Sequence, residues 1–323
     1  MTHSWRLEGY GIALETTRGT AVDPAFWVHH SEADFNDAYE KVQDESALWV
    51  NTNTSESVKT KQYATWNIGQ ILPANSIWII LKSLLGSVSS AETAGTGAYQ
   101  HDFSTDNVNS KPSYTVSKKT PIGGLRYALG VCESLGISAK TGEAVMCSIW
   151  TRAKAGASAS LSKSYASDNK FYAKHVNVYL ADTVAGLDSA DALCLESFEL
   201  NITQELEDGF CFTSGVDLGD IFNKGFSIDG SFVKVKQDDT FKDYVKNETY
   251  KAMRFEIIDT DTTIWVSDNP TIIIDLARVS FEEAPEDGGL NDIIRESVTI
   301  KGHYDLANTA DIDITVINET ASY

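Results

Sequence analysis

A chain of 323 residues with 42% hydrophobic and 22% charged residues has the composition of a folded globular protein, long enough for two domains of ordinary size. Its formal charge of −20 argues against nucleic-acid binding by charge attraction, because phosphate contacts need Lys and Arg. No apolar run approaches the ~20 residues of a membrane helix, since Lys82 and Ser83 interrupt the longest, 77–85.

The N-terminal residues, Met-Thr-His-Ser-Trp-Arg-Leu-Glu, carry no apolar signal core, which predicts a protein made and kept in a cytoplasm. Residues 1–42 read as a strand, a turn through 17–24 and a return strand from Phe26-Trp27-Val28, followed by an exposed polar face from His29 to Glu40. Residues 43–64 read as a polar loop projecting into solvent. Asn51, Asn53, Ser55 and Ser57 form its low-hydrophobicity run, flanked by Ala47-Leu48-Trp49 and by Tyr63. A helix follows, with Asn75 or Ser76 as its N-cap and one apolar face from Ile77, Trp78, Ile80, Leu81, Leu84 and Leu85. Gly86 stops it, and 87–97 reads as a flexible loop.

Strands are expected at 99–103, 113–117, 125–131, 134–139 and 144–153, with hairpin turn chemistry in Lys140-Thr-Gly-Glu143. Residues 155–167 are rich in Ala, Ser, Gly and Lys and contain no acidic residue, which suits a joint. Beyond it, Phe198/Leu200/Ile202 and Phe226/Ile228/Gly230/Phe232 alternate with polar residues, the period of half-buried antiparallel strands. A short helix is expected around Phe241, Tyr244 and Val245, a long hairpin loop at 284–292, and a last strand at Ile312, Ile314 and Val316.

The chain repeats itself. A constant offset lays Glu15 on Asp182, Thr16 on Thr183, Gly19 on Gly186, Glu32 on Glu199 and Phe35 on Ile202. Trp66/Ile68 and Phe226/Ile228 each precede a short helix, and Leu135/Ile137 and Val279/Phe281 each open a closing pair of strands. Two tandem domains are therefore expected, 1–165 and 166–323. Residues 1–165 hold 14 basic and 15 acidic residues, whereas 166–323 hold 12 and 31, so nearly all the negative charge lies in the second half. The expected fold is mainly β: two antiparallel β-sandwich or partial-barrel domains, each with one short flanking helix.

Chemistry is sparse. Gly225-Phe-Ser-Ile-Asp229 lacks the second glycine of a nucleophile elbow, and the six histidines lack metal-ligand spacing. Asp259-Thr-Asp261 and Glu286-Asp287 are at most weak cation sites, and read first as solvated turns. Cys132, Cys147, Cys194 and Cys211 sit singly in apolar contexts and read as buried thiols. No catalytic, cofactor or metal residue is assigned.

The opening Gly9-Tyr-Gly-Ile-Ala-Leu-Glu-Thr-Thr-Arg-Gly-Thr20, with Asp23-Pro24 and an aromatic strand behind it, resembles that of major tail tube proteins of long-tailed (siphovirus-type) bacteriophages. Similar too are Ala64-Thr-Trp-Asn-Ile-Gly69, the helix ending Leu84-Leu-Gly86, His101-Asp-Phe103, the run from Cys132 to Glu143, and Arg295-Glu-Ser-Val-Thr-Ile-Lys-Gly302-His-Tyr. The resemblance implies a structural subunit, not an enzyme, without cofactors. It implies six domains around a channel, here three chains per ring, stacked into a tube through which DNA passes without specific binding. Implied partners are further copies, the tape measure protein, the tail terminator and the baseplate or tail-tip proteins, in a virion tail assembled in the host cytoplasm. Trp49, Asn51, Asn53, Ser55, Ser57 and Tyr63 would make the ring-to-ring contact. A β-sandwich carbohydrate-binding or adhesin module of a virion is the alternative, and a β hydrolase a third reading.

Overall fold

The computed structural model describes residues 4–46, 49, 51–93, 97–265 and 268–321. In chain order the strands of the first half are β1 (Gly9–Leu14), β2 (Phe26–Val28), β3 (His30–Asp44) and β4 (Glu56–Ile71). Helix α1 (Trp78–Leu85) leads to β5 (Gly86–Glu92), β6 (Tyr99–Thr105), β7 (Tyr114–Thr120), β8 (Gly123–Lys140), β9 (Met146–Ala153) and β10 (Ala157–Ser158). The second half holds β11 (Val176–Ala181), β12 (Ser197–Gly209), β13 (Asp220–Val235) and α2 (Thr240–Lys246). It closes with β14 (Lys251–Ile258), β15 (Thr271–Glu283), β16 (Glu286–Asp287), β17 (Arg295–His303) and β18 (Ile312–Asn318). The fold is mainly β and all the ladders between these strands are antiparallel, as the alternation predicts.

One pairing diagram is drawn twice. β1 lies against β7, β7 against the first half of β8, and the second half of β8 against β9, which pairs with β4, which pairs with β3. β11 lies against β14, β14 against β15, and the second half of β15 against β17, which pairs with β13, which pairs with β12. The halves are sewn together where β8 pairs with β12 over seven rungs, from Ser134·Thr203 to Lys140·Ser197. Eight strands thus follow one another without a break: β3, β4, β9, β8, β12, β13, β17, β15.

Rows of side chains cross this eight-stranded sheet. On its buried face one row reads Ala33, Ile68, Ile149, Leu135, Ile202, Ile228, Gly302, Val279. On its other face the next row reads Glu32, Gly69, Ser148, Gly136, Asn201, Asp229, Lys301, Ser280. Each buried aliphatic side chain stabilises the sheet by ~1.5–3 kcal/mol relative to exposure. A one-residue slip of any strand would put this row in water, so the row fixes the register. Ser31 is an extra residue bulged out between His30 and Glu32.

Helix α1 is buried along nearly its whole surface and packs on β8. Gly86 ends it at φ 100, donating its N–H to the Lys82 carbonyl. The expected side-chain cap is not formed. Asp168 accepts the Asn75 N–H at 2.8 Å and the Ser76 hydroxyl at 2.8 Å, tying the helix entry to the joint instead. Of the flexible loop expected at 87–97, residues 87–92 are instead part of β5, paired with β6 throughout, and β6 continues onto β18; residues 94–96 lie outside the described residues. The two strands expected at 125–131 and 134–139 are one strand, β8, with register shifts near Tyr114 and Cys132 where it passes from one sheet to the other.

Candidate assembly interface

The residues expected to meet a neighbouring ring lie on β3 and β4 and the turn between them. The segment expected as a loop, 43–64, is largely strand: β3 runs to Asp44 and β4 starts at Glu56, leaving a tip of 45–55. Beyond Ala38 and Lys61 both strands are exposed, so this is a two-stranded arm standing free of the core. Six residues of β3, Tyr39 to Asp44, reach ~20 Å at ~3.3 Å per residue.

The expected contact residues fall into three environments. Trp49, fully exposed with φ 60, belongs to the tip together with Asn51 and Asn53; Ala47, Leu48 and Val50 lie outside the described residues. Ser55 closes the tip, its N–H donating to the Asp44 carbonyl at 2.9 Å, and Ser57 pairs with Gln43 within the arm. Tyr63 does not belong with them. It is half-buried and packs on a small second core of Leu129, Val131, Leu218 and Ile221, where it holds the arm's base. The Gln62 N–H donates to the Val216 carbonyl at 2.8 Å, a second tether at the same place. Sequence reasoning missed Val42 and Val58, which face each other across the arm at 60% and 52% exposure. Their signal was the alternation Val58, Thr60, Gln62, Ala64, Trp66, continuous with the core part of β4.

The eight-stranded sheet ends in two edges. β3 pairs with β4 alone, so its outer edge has no strand partner among the described residues. β15 carries β14 up to Lys251·Val279, after which the same edge has no strand partner among the described residues. The polar face between these edges is dished around Glu32, Gly69, Ser138, Ser148, Trp150 and Asn201. Ser, Gly, Asn and Thr dominate it, and its charges are mostly acidic. Glu32, Asp34, Glu199 and Glu205 have no cation within salt-bridge distance among the described residues, and Arg152 is neutralised by Glu133 at 3.0 Å and Asp208 at 3.3 Å.

The groups singled out for chemistry are engaged elsewhere. His175, Asp259 and Asp261 bring ligand atoms within 4.8 Å of one another. The His175 Nδ1 accepts the Tyr172 N–H at 3.3 Å, so its proton sits on Nε2, which faces Asp259 at 3.3 Å and Asp261 at 3.2 Å. Lys174 pairs with Asp261, and its hydrogen bond holds that carboxyl below the usual range. The ring is thus a spent donor rather than an open ligand. Glu286 is gripped by Lys236 and Lys242, whose hydrogen bonds hold its carboxyl down to about 2. Of the thiols expected to be buried, Cys132 and Cys147 are, and burial pushes Cys147 up to about 12. Cys194 and Cys211 are exposed, a correction; beside Cys211, Phe212 is fully exposed while Phe210 packs on the small second core. Hydrogen bonds from the Thr213 and Ser214 side chains lower the Cys211 thiol to about 7.

The scaffold is mainly β, with open sheet edges among the described residues and a projecting arm. Residues 7–302 match the family described as phage tail tube protein, and the chain belongs to that family. No curated protein matches the sequence. The chain is therefore a structural component of a phage tail, and its family assembles into a tube.

Proposed function

We propose that three copies of this chain close head to tail into a ring, that rings stack into the tail tube, and that the polar face of the eight-stranded sheet lines the channel for DNA. The observation that carries this is the doubled pairing diagram joined by β8·β12. Each half, 1–165 and 166–323, acts as one of six quasi-equivalent ring segments. A heterologous contact repeated by threefold rotation closes without leaving an edge. Three chains of eight strands make a wall of about 24 strands. At ~4.8 Å spacing and ~40° tilt its diameter is roughly 48 Å between backbones, wide enough for a duplex.

The arm of β3 and β4, with Trp49, Asn51, Asn53, Ser55 and Ser57, reaches the next ring; Tyr63 anchors it. The small, mostly anionic side chains of the channel face give sliding DNA no cationic grip. The remaining partners follow from the tube's two ends and lumen: a tail terminator, baseplate or tail-tip proteins, and a tape measure protein inside. A long-tailed phage assembling its tail in the host cytoplasm is the setting that fits. Image reconstruction of tubes grown from purified protein tests the reading. Three chains per ring with threefold modulation is the expected result, and six complete chains per ring would refute it.

A further inference from the structure

We propose that Lys234 and Glu296 condense into an amide, a cross-link between β13 and β17 that the folded chain makes on itself. The inference is independent of the ring proposed above, because both residues belong to one chain.

The register sets the two side chains together. Lys234 stands directly opposite Glu296 in the antiparallel β13·β17 ladder, a pairing that puts Cβ atoms ~4.5–5.5 Å apart. Both fall on the buried face, in phase with the neighbouring pair Phe232·Val298. Glu296 is wholly buried at 0% exposure, and Lys234 keeps only 8%. The Lys234 Nζ lies 3.5 Å from Glu296 Oε1 and 4.8 Å from the centre of the Phe241 ring. Phe241 meets Phe232 edge to face, so the wall beside the pair is aromatic.

What sets this pair apart is its lack of hydrogen bonds. Neither Glu296 oxygen accepts one among the described residues. Arg254 and Asp275, also paired across two strands, bond at 2.7 Å and 2.9 Å. The charges nearest in sequence are occupied with one another: Lys236 holds Asp239 and Glu286, each at 2.6 Å, and Lys242 pairs with Glu286 too. Opposite charges taken out of water without such bonds lose more in desolvation than their attraction returns. Condensation removes both charges and leaves a neutral amide, which costs far less to bury.

The pair carries all the atoms the reaction needs. One proton passes from Nζ to a Glu296 oxygen, leaving a neutral amine beside a neutral acid. The nitrogen lone pair then attacks Cδ, one bond beyond Oε1, and a C–N bond forms. A C–O bond breaks, and that oxygen leaves as water. Of the three hydrogens on the ammonium, one stays on the amide and two depart with the oxygen. No oxidant, reductant or co-reactant enters. Strand pairing holds nucleophile and carboxyl in contact, as an efficient intramolecular reaction requires, and an apolar wall keeps out the water that would reverse it.

Intact mass spectrometry of the full chain, purified and held under native conditions, reads the bond. The wild-type chain should weigh one water less than its sequence, and a protease digest should yield one branched peptide joining Lys234 to Glu296. Lys234→Met removes the amine, keeps an unbranched apolar stem, and should show its full sequence mass. Glu296→Gln should form the same amide with loss of ammonia instead of water, since the attack falls on the same carbon. A wild-type chain of full mass would overturn the proposal. So would a water loss that persists in Lys234→Met, or one that maps to Asp229-Gly230 or Asp287-Gly288, where succinimide formation also releases water. Should either variant fail to fold, the mass and the branched peptide of the wild-type chain decide alone.

Discussion

The row Ala33, Ile68, Ile149, Leu135, Ile202, Ile228, Gly302, Val279 shows what single residues contribute. Most of its members were legible because apolar residues alternate with polar ones in each strand. Gly302 was not, since only the neighbouring Ile228 explains it: a Cβ there would lie 2.8 Å from the Ile228 Cβ. Ile149→Ala should lower unfolding free energy by ~2–5 kcal/mol through a cavity at the centre of the sheet. Gly302→Ala should lower it by ~1–3 kcal/mol through overpacking. Denaturant unfolding of both variants checks this, and a neutral Gly302→Ala would show that Ile228 has room to move. Cys211 was misread from its Phe-Cys-Phe context. Because its thiol is lowered to about 7 by hydrogen bonds, alkylation at this position should reach half its maximal rate near pH 7. A midpoint near the ordinary ~8.5 would show that those bonds do not persist in solution. Cys132 and Cys147 should react only after unfolding, being buried.

At the scale of elements, helices and core strands were legible because period and burial coincide. The arm was not. Its strands Tyr39–Asp44 and Glu56–Thr60 bury neither face, so polar composition mimicked a loop although the backbone is paired. β5 was hidden for the same reason: Ser87, Ser89 and Ser90 face solvent, and only pairing with β6 orders them. A free two-stranded ribbon of this kind is marginal alone, which fits a part ordered against a partner. Removing the tip, residues 46–54, and closing the arm with Asn-Gly should leave a folded, ring-competent protein that makes no long tubes. Electron microscopy with a thermal melt reads both properties; tubes of normal length would exclude the arm from stacking. Tyr63→Ala should behave differently, costing ~1–3 kcal/mol of stability through the small core it fills, because it holds the arm's base rather than its tip.

At the scale of the whole molecule, the doubled order of strand pairings runs parallel to the order of elements read in the sequence, while the way the two sets of strands join was not legible there. Nothing in local period marks β8 and β12 as neighbours, since both alternate as any half-buried strand does; only the continuous rows reveal it. Charge has the same character. The sequence places 31 acidic residues against 12 basic ones in 166–323, without saying where they point. In the structure Glu199, Glu205, Asp229 and Glu282 alternate with the buried Leu200, Ile202, Ile228 and Phe281, which sets them on the polar face, with Lys301 4.0 Å from Asp229 as a local offset. In the proposed ring of three chains these groups would repeat three times around one lumen, where like charges repel a polyanion over about one Debye length, ~8 Å at physiological salt. Assembled tubes should therefore not retain duplex DNA in co-sedimentation at physiological salt. Replacing Glu199 and Glu205 by Lys should create retention that falls steeply as salt rises, since each new phosphate contact releases counterions. If those two substitutions leave retention unchanged while the tubes stay intact, the polar face of this sheet does not line the channel, and the opposite side of the ring must.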